Sequence, residues 1–264
     1  MPDRQGRLVG DALQHYAWDA NDPRATVVLV HGYAEHAGRY EHVAQTLVKH
    51  GLTVYAMDNR GHGRSDGPRG DIGSWQSVVS DLDALVDLAQ AEVPGAPTVL
   101  VGHSLGGAIA VAYALEHQQR LAGLSLSAPA IVLAPEMVAL ADLPEIPALP
   151  LADGVSRDPA VVQAYKDDPL VHHGPPPREL LQVLTTAPTA LVDRLAELVL
   201  PVQVMQGSHD ALIPSQALRE VVARVSSTDV SARLWPGLFH EIFNEPERDV
   251  VLAELTSWVS EHVA

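Results

Sequence analysis

The sequence has no cysteine, few basic residues for its acidic ones and no long apolar run, and each shortage removes a class of function. Without cysteine, the 264-residue chain holds no disulfide, no thiolate metal site and no cysteine nucleophile. Its 17 Lys+Arg face 33 Asp+Glu, a formal net charge of −16. Such a field repels phosphate backbones and anionic headgroups at long range, so no nucleic-acid partner is expected. Nowhere do about 18 apolar residues run together, as a membrane span requires. The opening MPDRQGRLVGDALQHYAWD lacks a signal-peptide core. A cytoplasmic protein with no transmembrane segment is expected.

What is present suits one large core. Hydrophobic residues make up 47% of the chain, and α/β folds of 200 to 250 residues commonly form a single domain, so the simplest organisation is one domain with an insertion. Short β-branched runs at residues 26–30, 52–57, 98–101, 121–126, 201–205 and 231–234 read as strands buried on both faces, as parallel strands are. Residues 39–50, 75–91, 105–117, 214–225 and 247–262 carry apolar positions at three- and four-residue steps and read as helices. This alternation predicts an α/β class with a mostly parallel sheet. No internal repeat is visible.

One segment breaks the alternation. From about residue 129 to 185 the chain is proline-rich and shows no clear strand, and an insertion that long in a compact domain points to a role such as a lid. Residues 130–143 are apolar, whereas 156–173 are polar with helical character at 159–166. The expected division is a core of residues 1–128 and 186–264 with a cap of 129–185.

Gly102-His103-Ser104-Leu105-Gly106 fits the G-x-S-x-G nucleophile elbow. A match of this length arises by chance with odds on the order of one in ten in such a chain, so its context decides. The strand-like TVLV ends at Gly102 and the helix-like LGGAIAVAYALEH follows Ser104, the setting in which a serine hydroxyl is presented at the carboxyl edge of a sheet. The amide of Leu105 would then lie at a helix N-terminus and could stabilise an oxyanion. In this fold the acid precedes the histidine along the chain. Of 13 histidines, only His240 and His262 follow the last strands, and His262 sits at a terminus that frays. His240 is therefore the expected general base, and its ordinary pKa near 6.5 suits that task. The acid is expected after the strand PVQVM, at Asp210, while Asp193 and Glu197 read as solvated helix charges. A second oxyanion donor is expected from the loop after TVVLV, at the amide of Tyr33, with His31 and Gly32 shaping the turn.

HGYAEHAGRY, DNRGHGRSDGPRG, GHSLGG, SRDPAVVQAYKDDPLVHHG and PGLFHEIFNEPER together resemble the monoacylglycerol lipase family, in its bacterial branch. The resemblance runs from about residue 26 onward. It implies an α/β-hydrolase fold, with a mostly parallel eight-stranded sheet flanked by helices and a cap insertion. It also implies hydrolysis of a monoacylglycerol to fatty acid and glycerol with no cofactor and no metal, and transient contact of the cap with lipid. Ser104, Asp210 and His240 fall on the family's triad positions, and Tyr33 and Leu105 on its oxyanion positions. Glu35, Arg39 and Tyr165 resemble positions at the polar, glycerol end of the pocket, opposite an acyl channel lined by residues 131–143. Glu35 and Arg39 stand four apart and read equally as a structural ion pair. Ala34 replaces a glycine frequent in relatives, and residues 130–154 form a shorter apolar stretch than the family pattern. DNRGHGRSDG reads as a structural loop. Two other functions remain open at this stage: a general short-chain carboxylesterase using the same triad, and a non-catalytic binding protein of the same fold.

Overall fold

The computed structural model describes residues 1–187 and 190–264. Eight strands, β1 (Arg4–Leu8), β2 (Leu13–Trp18), β3 (Ala25–Val30), β4 (Leu52–Met57), β5 (Thr98–His103), β6 (Gly123–Ser127), β7 (Val202–Gly207) and β8 (Val230–Trp235), join in one sheet. Their order is β1-β2-β4-β3-β5-β6-β7-β8. β1 and β2 pair antiparallel, as do β2 and β4; every pairing from β4 to β8 is parallel. Helices α1 (Glu41–Val48), α2 (Trp75–Glu92), α3 (Leu105–His117), α4 (Pro135–Ala139), α5 (Ala152–Val155), α6 (Pro159–Asp167), α7 (Arg178–Arg194), α8 (Gln216–Arg224) and α9 (Arg248–His262) complete the chain.

The central strands form because their β-branched and apolar side chains can be buried on both sides. In β3 every residue is buried. Val28 and Val30 enter the core beneath α2, α3, α7 and α8, whereas Val27 and Leu29 enter the core beneath α1 and α9. Each such side chain removed from water stabilises the fold by about 1.5–3 kcal/mol. The edge strands β1 and β8 are largely exposed and carry polar residues, which blunts edge-to-edge pairing. No helix among the described residues is long and apolar enough to cross a membrane.

The structure adds the β1–β2 hairpin, which the six strands expected from the sequence omit. RQGRL has no apolar side chain before its last residue and LQHYAW is interrupted by Gln14 and His15, so neither forms the continuous apolar run by which buried strands are recognised. Its turn is held by left-handed conformations at Val9, Gly10 and Asp11. The helix expected at residues 39–50 opens instead as a 3-10 turn, Ala37–Tyr40, before α1. Between β6 and β7 lie α4 to α7, with no strand among the described residues. The helix α7 crosses residue 185, where the expected cap ends.

The chain leaves β3 towards β4 and returns on the other side of β3 as β5. Strand order therefore reverses between β3 and β5, and the crevice beyond the carboxyl ends of strands at such a point is where open α/β sheets bind ligands.

Candidate active site

Ser104 stands at this point, between the last residue of β5 and the first of α3, with φ +52° and ψ −119°. A non-glycine residue held at positive φ costs about 1–3 kcal/mol and persists only where its surroundings over-determine it. Here the surroundings are glycines. A Cβ on Gly102 would meet the Gly106 oxygen at 2.5 Å and the Ala110 methyl at 2.8 Å, and one on Gly106 would strike the carbonyls of Val30 and His31. The Ser104 N–H donates to Ser127 O on β6 at 2.9 Å, and its carbonyl accepts from Gly107 N at 2.9 Å. The hydroxyl is thereby raised from the sheet edge into a pocket.

His240 lies in the loop after β8 and is buried. Its Nδ1 donates to Asp210 Oδ2 at 2.8 Å. Asp210 follows β7; its other oxygen accepts the N–H groups of Leu212 at 2.9 Å and Ile213 at 3.0 Å. Burial alone would lower the His240 pKa, but the charge and hydrogen bond of Asp210 outweigh it, aided by Glu241 and Glu35, and the ring is held above its ordinary 6.5. Burial works likewise against the Asp210 carboxylate, yet His240 and the two backbone donors keep it below 3.8. Ser104 and His240 line the same pocket. Among the described residues no direct hydrogen bond joins them; in unliganded enzymes such contacts are often long and tighten with substrate.

Tyr33 and Leu105 also line the pocket. The Leu105 N–H is one of the first four of α3, which a helix leaves without an internal acceptor. The Tyr33 loop is fixed from three sides. His31 Nε2 accepts the Asn59 N–H at 2.8 Å, Asp58 accepts the Ala37 N–H at 2.9 Å, and Glu35 accepts the Gly32 N–H at 2.7 Å. DNRGHGRSDG thus buttresses this loop. Ala34 adopts φ +68°, which explains why glycine suits the position: a left-handed conformation costs an L-residue about 1–2 kcal/mol.

Glu35, Arg39 and Tyr165 meet. The Arg39 guanidinium donates to Glu35 at 2.8 Å and to both oxygens of Glu241 at 2.5 and 2.7 Å, and lies 4.7 Å above the Tyr165 ring. Glu35 and Tyr165 face the pocket, whereas Arg39 sits behind them, consumed by its two carboxylates. Burial raises the Glu35 pKa against the pull of Arg39; for Glu241 the pull of Arg39 outweighs burial and lowers it.

Two polar residues of the pocket carry no assignment from the sequence. Glu241, beside His240, closes the Arg39 cluster. His103, the variable residue of the elbow motif, packs its ring 4.6 Å from that of His240. Burial first, then the neighbouring His240, push its pKa down to about 3, so it stays neutral and adds no charge against a protonated His240. The remaining wall is apolar. Leu133 and Met137 come from the stretch 131–143, as expected, but Leu149, Leu151, Leu180, Leu181 and Leu184 extend it. Ile131 instead packs into the core. Among the described residues no cluster of His, Asp or Glu could hold a metal ion.

The family model described as serine aminopeptidase, S33, matches residues 21–247. A monoacylglycerol lipase of Mycolicibacterium smegmatis is 45% identical over 252 residues, 92% of this chain and 90% of that protein. A phospholipase of Bacillus subtilis is 31% identical over 94% of this chain and 100% of that protein. The crystal structure of a Paleococcus ferrophilus monoacylglycerol lipase superposes with a TM-score of 0.84 at 29% identity, covering 95% of this chain and 99% of that one. Fold, match to the family model and identity along nearly the whole length agree: the chain belongs to the monoacylglycerol lipase family of α/β-hydrolases.

Proposed function

We propose that the protein hydrolyses the ester of monoacylglycerols to fatty acid and glycerol through an acyl-enzyme on Ser104. The observation that carries the reading is one pocket lined by both apolar and polar groups. Ser104 and His240 share it with a wall of leucines and with Glu35, Glu241 and Tyr165, which gather around Arg39.

In this reading Ser104 Oγ attacks the ester carbonyl while His240 Nε2 takes its proton. Asp210 holds the ring in the tautomer that leaves Nε2 free and stabilises the imidazolium. The carbonyl oxygen, now an oxyanion, receives the N–H groups of Tyr33 and Leu105, donors fixed in place before the charge develops. As the tetrahedral intermediate collapses, the C–O bond to glycerol breaks and His240 gives its proton to the departing oxygen. Water then enters, His240 removes one of its protons, and the second tetrahedral intermediate releases the fatty acid and restores Ser104. The polar end suits a neutral polyol. A phosphate-bearing head would meet the Glu241 carboxylate, which disfavours a phospholipid, the substrate class in the name of the Bacillus relative.

Residues 129–185 act as the cap in this account, and exposed Val138 and Leu143 are its face towards dispersed lipid. A cytoplasmic location, tested by cell fractionation, completes the reading. The direct test is incubation with a monoacylglycerol. Fatty acid and glycerol should appear in equal amounts, and a fluorophosphonate should label wild type but not Ser104→Ala. Hydrolysis of short-chain esters with none of monoacylglycerol would make the protein a general carboxylesterase. Absence of both labelling and turnover would make it a binding protein.

A further inference from the structure

The steps above leave one buried carboxylate beside the site without a part. The Glu245 side chain is 0% exposed. It accepts the backbone N–H of Phe239, the residue before His240, at 2.6 Å. It also accepts the Arg157 Nε at 3.0 Å and the Arg157 backbone N–H at 3.4 Å. Arg157 belongs to the cap, between α5 and α6, and its outer nitrogen pairs with exposed Glu247. It does not line the pocket.

Around this pair the cap and the His240 loop are joined by further bonds. The His240 N–H donates to Gly154 O at 3.3 Å, the Glu241 N–H to Val155 O at 2.8 Å, and the Ser156 hydroxyl to Asn244 O at 3.0 Å. A wholly buried carboxylate depends on its cation. Remove the cation and the charge must be rehydrated or protonated, and either response displaces the groups it held. One of those groups is the amide next to His240.

We infer that Arg157 is a positioning residue for His240, acting through Glu245 and the Phe239 amide, so that the cap segment 154–157 supports the catalytic base and is not part of a removable lid. The inference rests on the reading of His240 as the base.

The experiment compares Arg157→Ala, Arg157→Lys, His240→Ala and Lys166→Ala, the last breaking a surface pair with Asp153 on the same cap. For each, kcat, KM, the pH profile and the thermal midpoint are measured with a monoacylglycerol. Arg157→Ala should lose kcat by about 10²-fold, the effect of a misplacement near 1 Å, with KM little changed. Its acidic limb should move to lower pH, because a ring less well paired with Asp210 is left to the lowering effect of burial. Glu241, Glu35, Arg39 and the neutral His103 around the ring are untouched by the substitution, and the Glu245 carboxylate left without its cation would by itself raise the limb, so a limb moved to lower pH reports geometry. Arg157→Lys should recover most of kcat, and Lys166→Ala should match wild type. Arg157→Ala with wild-type kcat and limb would overturn the inference, as would a loss accounted for entirely by a smaller folded fraction with the limb unmoved. An active His240→Ala would overturn the base assignment beneath it; an inert His240→Ala beside a wild-type-like Arg157→Ala would remove the inference alone.

Discussion

The carboxyl edge of the sheet and the front of the cap wall the same pocket but are held in different ways. At the edge, Ser104 is pinned by strand pairing, by glycines that admit no Cβ and by the Ser127 carbonyl, while Asp210 takes two backbone donors besides His240. At the front, residues 133–151 contribute short helical turns and apolar contacts, tied back chiefly by Arg178, which donates to the carbonyls of Ala141, Leu143 and Pro144. Between the two stands the rear of the cap. Besides the bonds around Arg157, His36 contacts Asp168 at 2.9 Å and the His172 N–H donates to Ala34 O at 2.8 Å. Placement is strict around Ser104, Asp210 and His240 and looser along residues 133–151, and the rear of the cap sides with the strict region.

Substitutions should therefore act with decreasing force from the edge outward. Ser104→Ala should lower kcat by about 10⁶-fold, the scale measured for losing a serine-protease nucleophile, with cooperative unfolding retained; residual turnover within tenfold of wild type would break the comparison at its firm end. Asp210→Asn should lower kcat by about 10⁴, because an amide favours the wrong His240 tautomer. If Asp193→Asn did the damage instead, the acid would lie elsewhere. The pH profile sharpens the same point. His240 must be neutral to accept a proton and its pKa is raised, so kcat/KM should fall as pH drops through a midpoint above 6.5; a rate flat down to pH 4 would exclude a histidine base. At the front of the cap, Arg178→Ala should change KM a few-fold and leave kcat alone, and a loss of kcat comparable to that of Asp210→Asn would erase the distinction between the two regions. The smallest effect is expected at Ala34, whose φ of +68° glycine adopts freely. Ala34→Gly should change stability by less than about 1 kcal/mol, since relief of strain is offset by the added freedom of the unfolded chain and the loss of a wholly buried methyl, read as a thermal midpoint within a few degrees of wild type.

The edge was more legible in the sequence than the cap, for physical reasons. A strand that must be buried on both faces writes an unbroken apolar run, and an elbow needs small residues at fixed offsets, so β3 to β7 and Gly102 to Gly107 can be read locally. Chain order then narrowed the acid and base to Asp210 and His240, which the structure brings within hydrogen-bond distance. The β1–β2 hairpin wrote no such run because β1, at the sheet edge, lies largely exposed and β2 is interrupted by the half-buried Gln14 and His15. Leu180, Leu181 and Leu184 look like any helical stripe until α7 is seen folded over Ser104. Glu241 and Glu245 were hidden because their partners, Arg39 and Arg157, stand far away in the chain. The i, i+4 spacing of Glu35 and Arg39 announced their ion pair but not the second carboxylate that completes it.

If one end of the pocket takes a single acyl chain and the other closes around glycerol, head size decides the rate. That is read from kcat/KM for mono-, di- and triacylglycerols of one acyl length in detergent dispersion, beside the lysophospholipid of the same acid. The monoacylglycerol should be hydrolysed fastest and the phosphate-bearing ester slowest. A triacylglycerol or lysophospholipid turned over as efficiently as the monoacylglycerol would contradict a closed polar end.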